Sequence, residues 1–286
     1  MKTTAPNNFE FFYVDGETFD IKEHVAFTAP NSKWIIDKVL HVDGATYLIG
    51  GSSASNTEYN DIYPPPKKAD FMNLQLAKIQ DGKVVYAKSF LNSDLNAALK
   101  TVDGLKSNKT VNGNVMLYST LNVVNGKVVY QGQQHNIGNG TIIVLDRFSL
   151  NGSMYGDLQA FIFDENGNLD AVLSKQEKKT ARSSVAFTKD GSKLLWLLED
   201  IGKYNEIKKG TISSKKASEI VNALSIVSYD FNAKNISSFQ NLENNDWAIN
   251  HNNPVLMKDD SKIMLLGNKI TKKTKEKELV LVTITK

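Results

Sequence analysis

The chain contains no cysteine among its 286 residues. This absence excludes disulfide bonds, cysteine-ligated zinc or iron–sulfur centres, and thiol catalysis. Long hydrophobic runs are also missing, because no apolar stretch approaches the roughly 18 residues that a membrane-spanning helix needs. The longest stretches, such as Leu194–Leu198, have the length of a strand. We therefore expect no insertion into a membrane.

A strong charge of one sign is lacking as well. The 34 basic and 31 acidic residues are interspersed and give a formal net charge of +3. Nucleic-acid binding depends on a concentrated basic surface, so we expect no nucleic-acid partner. The polar segment 1–8 has none of the apolar core of a signal peptide, and we expect no signal peptide in this chain.

What the sequence has in quantity is short turn motifs flanked by strand-forming residues. Asn-Gly and Asp-Gly pairs suit type I′ turns, in which both central residues need a positive φ, so they predict β-hairpins. The pairs are Asp15-Gly16, Asp43-Gly44, Asp81-Gly82, Asn125-Gly126, Asn166-Gly167 and Asp190-Gly191, with degenerate versions at Asn232-Ala233 and Asp259-Asp260.

These turns alternate between two kinds of hairpin. One kind has continuous apolar flanks, as in Thr46–Gly51, and the other alternates apolar with polar residues, as in Leu74–Ile79. The spacing between the kinds is regular, with 38 residues from Gly44 to Gly82 and 41 from Gly126 to Gly167. Serial four-stranded units of this kind are typical of propeller blades.

We therefore predict an all-β fold, a β-propeller of four-stranded antiparallel blades with about four to five blades visible, in a single domain over 1–286. The predicted elements are an outer hairpin at 9–28, blades at 34–90, 112–175, 183–240 and 253–286, and an inserted connector at 92–110 with a short helix at 93–100. The last unit lacks a fourth strand and the leading hairpin lacks an inner partner. The ring is either closed by that hairpin or belongs to a larger, trimmed propeller.

One segment carries a family resemblance. The stretch SVAFTKDGSKLLW, Ser184 to Trp196, resembles the WD40-like repeat of bacterial TolB-type propellers, in which a Phe/Ser-Pro-Asp-Gly-x-x-Leu/Ile core recurs once per blade. Lys189 stands where that family usually has proline. The resemblance implies a propeller but no activity, because activity varies widely across propellers. Together with the asparagine- and lysine-rich composition, it implies an exported bacterial parent protein, periplasmic or at the cell surface.

The connector of the first full unit holds two candidate binding residues. Tyr59 and Tyr63 precede the prolines Pro64–Pro66, which impose a rigid extended conformation. Tyrosines beside such a segment supply amphipathic contact area for a ligand or partner. The alternative is a stiff crossover that packs against the next blade.

Three further candidates lie in polar surroundings. His135 and His251 lie in segments rich in glycine or asparagine and could reach a shared rim, whereas Trp247 could stack on a sugar or fill the gap between blades. His41, in an apolar strand, is expected to have a hydrogen-bonded role in the core.

The sequence offers no metal or cofactor motif. The four histidines never share a metal-binding spacing, and no serine lies in a Gly-x-Ser-x-Gly motif. The glycine-rich segments Gly50–Ser53 and Gly138–Thr141 lack the helix and lysine of a phosphate loop, and we interpret both as turns. We expect no metal and no cofactor.

Two functions remain. We expect a non-catalytic binding or scaffold propeller, because rigid blades hold variable loops on a common face, and its ligand would be an unknown protein or carbohydrate. The alternative is a hydrolase of carbohydrate or peptide that gathers acidic residues from different blades at the central channel.

Overall fold

The computed structural model describes residues 8–31, 33–53, 73–100, 116–135, 155–175, 183–201, 222–242, 247–256, 262–269 and 278–285. These residues form nineteen strands and one short helix, arranged as serial antiparallel sheets. The chain divides into two compact units, one of 1–101 with 105–180 and the other of 102–104 with 181–286. That the whole chain is a single domain stays a prediction.

The first element is an isolated hairpin of β1 (Asn8–Val14) and β2 (Ile21–Thr28). The Asp15 carboxylate closes its turn by accepting hydrogen bonds from the backbone N–H groups of Glu17 and Thr18. Alternate residues of the hairpin, including Phe9, pack on the sheet that follows. The predicted hairpin is present, and its place as the outer hairpin of a blade stays a prediction.

Blade 1 is the sheet of residues 33–91. Its strands are β3 (Lys33–Trp34), β4 (Lys38–Val42), β5 (Ala45–Ser53), β6 (Asn73–Gln80) and β7 (Lys83–Leu91). Both β3 and β4 pair with β5, so they are two halves of one inner strand interrupted by a bulge. Blade 1 is therefore a four-stranded antiparallel meander.

Blade 2 is the corresponding sheet of residues 116–175, and a short segment before it covers its edge. Between the blades lie α1 (Asn92–Ala97), which the sequence predicted, and β8 (Leu99–Lys100). The blade itself consists of β9 (Met116–Val124), β10 (Lys127–His135), β11 (Tyr155–Phe163) and β12 (Leu169–Lys175). Because β8 pairs in parallel with β12, the outer edge strand of blade 2 is not left open to a foreign strand.

Blades 3 and 4 make up the second unit. Blade 3 comprises β13 (Ser183–Phe187), β14 (Lys193–Ile201), β15 (Asn222–Asp230) and β16 (Asn235–Leu242). Blade 4 comprises β17 (Trp247–Leu256), β18 (Lys262–Lys269) and β19 (Glu278–Thr285). The inner strands β13 and β17 lie side by side. The predicted fold class, all-β with consecutive four-stranded antiparallel blades, is confirmed.

The turn chemistry follows the sequence at three of the six Asn-Gly and Asp-Gly pairs, and at Asp15-Gly16 neither residue has a positive φ. Both central residues have a positive φ at Asp43-Gly44, Asp81-Gly82 and Asn125-Gly126, as type I′ turns require. In the turns at Gly167 and Gly191 the glycine has a positive φ but the residue before it does not, so these turns differ from type I′.

Blades 1 and 2 share one apolar core. Tyr47, Ile49 and Leu76 of blade 1 meet Tyr130 and Phe161 of blade 2 in a continuous buried cluster. Each such side chain contributes about 1.5–3 kcal/mol when fully buried. Face-to-face packing of successive meanders is the arrangement of propeller blades.

The two ends of each blade differ in a way that positions the candidate site. Tight turns join the first strand to the second and the third to the fourth, and we call this side the turn end. Adjacent strands run antiparallel, so segments 54–72, 136–154 and 202–221, which join the second strand to the third, start from the opposite side. We call that side the connector end.

Candidate functional site

A bulge in the inner strand of blade 1 lies near the connector end. Ile35 and Asp37 donate their N–H groups to the carbonyls of Gly51 and Ile49, respectively, each at 2.9 Å, and Ile36 protrudes between them. The bulge brings the Ile35 carbonyl close to β5, which is possible because residue 50 is a glycine; a Cβ atom on Gly50 would lie 1.8 Å from the Ile35 carbonyl oxygen.

Blade 2 repeats the bulge at the same position. Gly132 is the sixth residue of β10, as Gly50 is of β5, and the register shifts between Gln131 and Gln133. A Cβ atom on Gly132 would lie 2.9 Å from the Leu117 carbonyl oxygen. Tyr118, in the bulge, has a φ of 53°, which is uncommon for a bulky residue.

The repeat is incomplete in the second unit. The sixth residue of β14 is Leu198, and there β13 pairs with β14 in unbroken register. The sixth residue of β18 is Gly267, which pairs with Ile249, and β17 has an irregular register from Asn250 to Val255.

A hydrogen-bonded group links the two bulges of the first unit. The half-buried Asp37 accepts hydrogen bonds at Oδ2 from the Ser119 hydroxyl at 2.5 Å and from the Tyr130 hydroxyl at 2.8 Å. The Ser119 distance is in the range of charge-assisted hydroxyl bonds to a carboxylate, and the Tyr130 distance is that of an ordinary hydroxyl hydrogen bond. The bulge residues beside them, Ile36 and Tyr118, are 39% and 41% exposed. Asp37, Ser119 and Tyr130, with Ile36 and Tyr118, are the bulge site.

Tyr130 acts in this group only as a neutral donor. Burial raises its pKa well above the ordinary value, and the negative charge of Asp37 raises it further. The Tyr130 side chain is 1% exposed, so its hydroxyl is held in place by the surrounding core.

A network of buried amides and hydroxyls lies at the connector end of blade 1. The Asn31 side-chain amide donates to the hydroxyls of Ser52 at 2.9 Å and Ser89 at 2.5 Å. Gln75 Oε1 accepts the Asn31 backbone N–H at 3.0 Å. The network fixes the segment that leads into the inner strand.

Blade 2 has a matching network. Gln159 pairs with Gly132 and Ser174, as Gln75 pairs with Gly50 and Ser89 in blade 1. Gln159 Nε2 donates to Gln134 Oε1 at 3.3 Å. Each glutamine is bonded through one end of its amide, whereas Gln75 Nε2 and Gln159 Oε1 are buried without a hydrogen-bond partner. The recurring glutamine is therefore a shared but only partly satisfied feature of the two blades.

Of the predicted site residues that the structure describes, His135 and Trp247 lie at the connector ends of their own blades and His251 lies in the middle of a strand. His135 is the last residue of β10 and pairs with Tyr155. Trp247 begins β17, and His251 lies in the irregular stretch of that strand. Tyr59 and Tyr63 lie outside the described residues. The binding role of all five residues stays a prediction.

Trp247 and Trp34 have corresponding places in the register of their blades. Trp247 pairs with Lys269, the eighth residue of β18, and Trp34 pairs with Ser52, the eighth residue of β5. Trp34 is 2% exposed and packs edge-on against Phe9. Both interpretations of Trp247, stacking on a sugar and filling the gap between blades, stay predictions.

Two interpretations from the sequence are wrong. Gly50–Ser53 form the buried end of β5 and not a turn. Glycine is required at position 50 because the Ile35 carbonyl oxygen lies too close to leave room for a Cβ atom. His41 lies on the exposed side of β4, where it bonds to the Thr46 hydroxyl at 2.9 Å and stacks on Tyr13. It is hydrogen-bonded as expected, but it is not in the core.

The bulge site itself was not predicted. Asp37 is 82 residues from Ser119 and 93 from Tyr130 in sequence, so no local pattern reveals the cluster. The one available signal was the shared placement of Gly50 and Gly132 in their strands. Over the described ranges, no three histidine or acidic side chains are grouped to hold a metal ion.

Among the described residues, no helix is long and apolar enough to cross a membrane.

Comparison with known proteins gives distant structural likenesses. No family model matches the chain, and no curated protein matches it. Solved structures similar to it include a variant of the Synechocystis apocarotenoid oxygenase, with a TM-score of 0.40, 11% identity, and coverage of 96% of this chain and 52% of that one.

Two more solved structures are similar to a comparable degree. Hydrazine synthase of Kuenenia stuttgartiensis has a TM-score of 0.36 and 12% identity over 91% of this chain and 70% of that one. A neuraminidase-like protein from A/bat/Guatemala has a TM-score of 0.33 and 9% identity over 92% of this chain and 63% of that one. The chain spans about half the length of the apocarotenoid oxygenase structures that it matches. Likeness at this level carries no functional information.

Proposed function

We propose that the chain is a non-catalytic binding module of the propeller type, with its binding surface at the connector end. The observation that supports this proposal most is the bulge site. There, a β-bulge that recurs in blades 1 and 2 exposes Ile36 and Tyr118 to solvent next to the bond between Ser119 and Asp37. Bulges often re-aim side chains next to functional sites. Loops and strand ends on a rigid scaffold are also where binding residues concentrate.

The polar groups at this end fit binding better than hydrolysis. Glycoside hydrolysis needs two carboxyl groups about 5–10 Å apart, one of them acting as an acid. In the bulge site the one carboxylate, Asp37, is bonded by two hydroxyls. Amides and hydroxyls with exposed aromatic and aliphatic side chains are typical of recognition surfaces.

The type of propeller repeat and the cellular location are proposed from the WD40-like resemblance of residues 184–196. Asp190 Oδ1 accepts hydrogen bonds from the Thr188 hydroxyl at 2.7 Å and from the Ser192 N–H at 2.9 Å, which gives the Asp-Gly motif a local structural role. We propose TolB-like repeats from an exported bacterial protein. Fractionation of the cells that make the protein tests this, and recovery only in the cytosol would contradict export.

A paired experiment tests the binding function. The full chain is incubated with chromogenic glycosides and peptide anilides, and in parallel applied to arrays of immobilised oligosaccharides and peptides. We expect release rates equal to those in buffer and retention on the array. Tyr118→Ala should weaken retention, whereas Val85→Ala, which removes an exposed side chain near the turn end, should not. Turnover that a single carboxylate-to-amide substitution abolishes would establish the hydrolase instead.

A further inference from the structure

The Asp37 carboxylate has capacity for a further partner. The hydrogen bonds that it accepts from the Ser119 and Tyr130 hydroxyls both end on Oδ2. Oδ1 accepts neither of these bonds, and it is not one of the fully buried side-chain atoms without a partner. Because Asp37 is half-buried, this oxygen therefore reaches solvent. An ionised carboxylate offers about four acceptor positions, of which two are used here.

Within the described ranges, the Asp37 carboxylate forms no ion pair. The ion pairs found in the described part of the chain involve Lys22 and His24, and none of them includes Asp37. The two hydroxyls that orient the carboxylate are neutral donors. A cation within about 4–6 Å would stabilise the ionised carboxylate.

Apolar and aromatic surface flanks the carboxylate. Ile36 precedes Asp37 in one bulge, and Tyr118 precedes Ser119 in the other. Strand β4, which follows the first bulge, lies beside β9, which contains the second. The positive φ of Tyr118 is a local backbone strain, and such strain concentrates at ligand sites.

We propose that the bulge site binds an organic ammonium group, such as the side chain of a lysine in a peptide. The ammonium would donate to Asp37 Oδ1, its methylene stem would lie against Ile36, and the Tyr118 ring would supply a cation–π contact. A carboxylate beside an aromatic ring is a common way to recognise an ammonium ion. This inference rests on the proposed binding function and names its ligand class.

The test uses the full, ¹⁵N-labelled chain and Nα-acetyl-lysine N-methylamide as the probe. We expect saturable shifts of the backbone amide resonances of residues 36–38 and 117–120. The Nε-acetylated form of the same compound, which is neutral and of similar shape, should cause none. Equal shifts with both compounds, or no shifts at the bulges, would overturn the proposal without any variant.

Two variants with the same change in net charge sharpen the test. Asp37→Asn keeps an acceptor for both hydroxyls and should weaken binding by about tenfold or more, as loss of a charge-assisted bond does. Asp81→Asn, in a type I′ turn that suits either residue, should leave the affinity within about twofold. Tyr118→Ala should cost a further ~3-fold through the lost cation–π contact. Undiminished binding by Asp37→Asn would refute the site.

Failure of the ammonium proposal can be told apart from failure of the proposed binding function. If maltotriose shifts the bulge resonances and the lysine compound does not, the ammonium class is wrong while the binding module stands. Turnover of the chromogenic substrates would reject the binding module whatever the lysine compound does.

Discussion

Replacing Gly50 by alanine should destabilise the protein severely. The new Cβ atom would lie 1.8 Å from the Ile35 carbonyl oxygen and 2.8 Å from the Asp37 nitrogen, where ordinary contact begins at 3.4 Å. The backbone at Ile35 must therefore move by about 1.6 Å. Both neighbours are backbone atoms, so no flexible side chain can relieve the clash.

The cost follows from what that movement breaks. The Ile35-to-Gly51 and Asp37-to-Ile49 hydrogen bonds, each 2.9 Å long, hold the bulge on β5. Losing both leaves polar groups unsatisfied at about 1–3 kcal/mol each, and overpacking adds about 1–3 kcal/mol. We expect a loss of roughly 5 kcal/mol in the free energy of unfolding, a large part of the ~5–15 kcal/mol that holds a typical domain.

Urea unfolding followed by far-UV circular dichroism and tryptophan fluorescence measures the effect. Gly16→Ala is the matched control, since a Cβ atom there meets nothing within 4 Å and should change stability by less than about 0.5 kcal/mol. Gly132→Ala, with contacts at 2.9–3.0 Å, should fall between the two. A Gly50→Ala protein within about 1 kcal/mol of the Gly16→Ala protein would refute the close approach of the inner strand.

Three further predictions concern polar contacts. The pKa of Asp190 is lowered to about 2, mainly by the hydrogen bond from the Thr188 hydroxyl, so the ionised carboxylate stabilises the fold fully above pH 3.8 and this contribution is lost as the pH falls toward 2. In Asp190→Asn the free energy of unfolding should therefore depend less on pH between 3.8 and 2, and an unchanged pH dependence would contradict this. Asn31→Ala should lower the free energy of unfolding, measured in urea, by about 2–3 kcal/mol, because it removes the central donor of a buried hydrogen-bond network. Asn8→Ala, on the surface, should lower it by less than about 0.5 kcal/mol, and equal effects would refute the network. Tyr130→Phe should cost about 1.5–3 kcal/mol by removing a donor to a carboxylate, and a neutral result would contradict that bond.

The sequence predicted those parts of the fold that are decided locally. The Asp43-Gly44 and Asn125-Gly126 turns could be predicted because the need for a positive φ is met by the two residues themselves. The alternation around Gln75 predicted a strand correctly, but the polar face that it indicated is not exposed, because residues 73–77 of β6 are buried on both faces. Such features depend on residues close together in the chain.

The candidate site could not be predicted because distant residues build it. Gly50 was assigned to a turn, since nothing nearby in the sequence shows that Ile35 will approach it. Asp37 gains its role only when the inner strands of two blades lie together and bring Tyr130 within 2.8 Å. His41 was expected in the core because its strand is apolar, but β4 is partly exposed on one face.

The most direct test of the account is to locate where a ligand found on the oligosaccharide or peptide arrays binds, by chemical-shift mapping on the full chain. A binding surface at the connector end predicts shifts of amides such as those of Ser52 and Gln134, together with the bulge residues. Shifts confined to the turn end, at Gly44, Gly82 and Gly126, would contradict it.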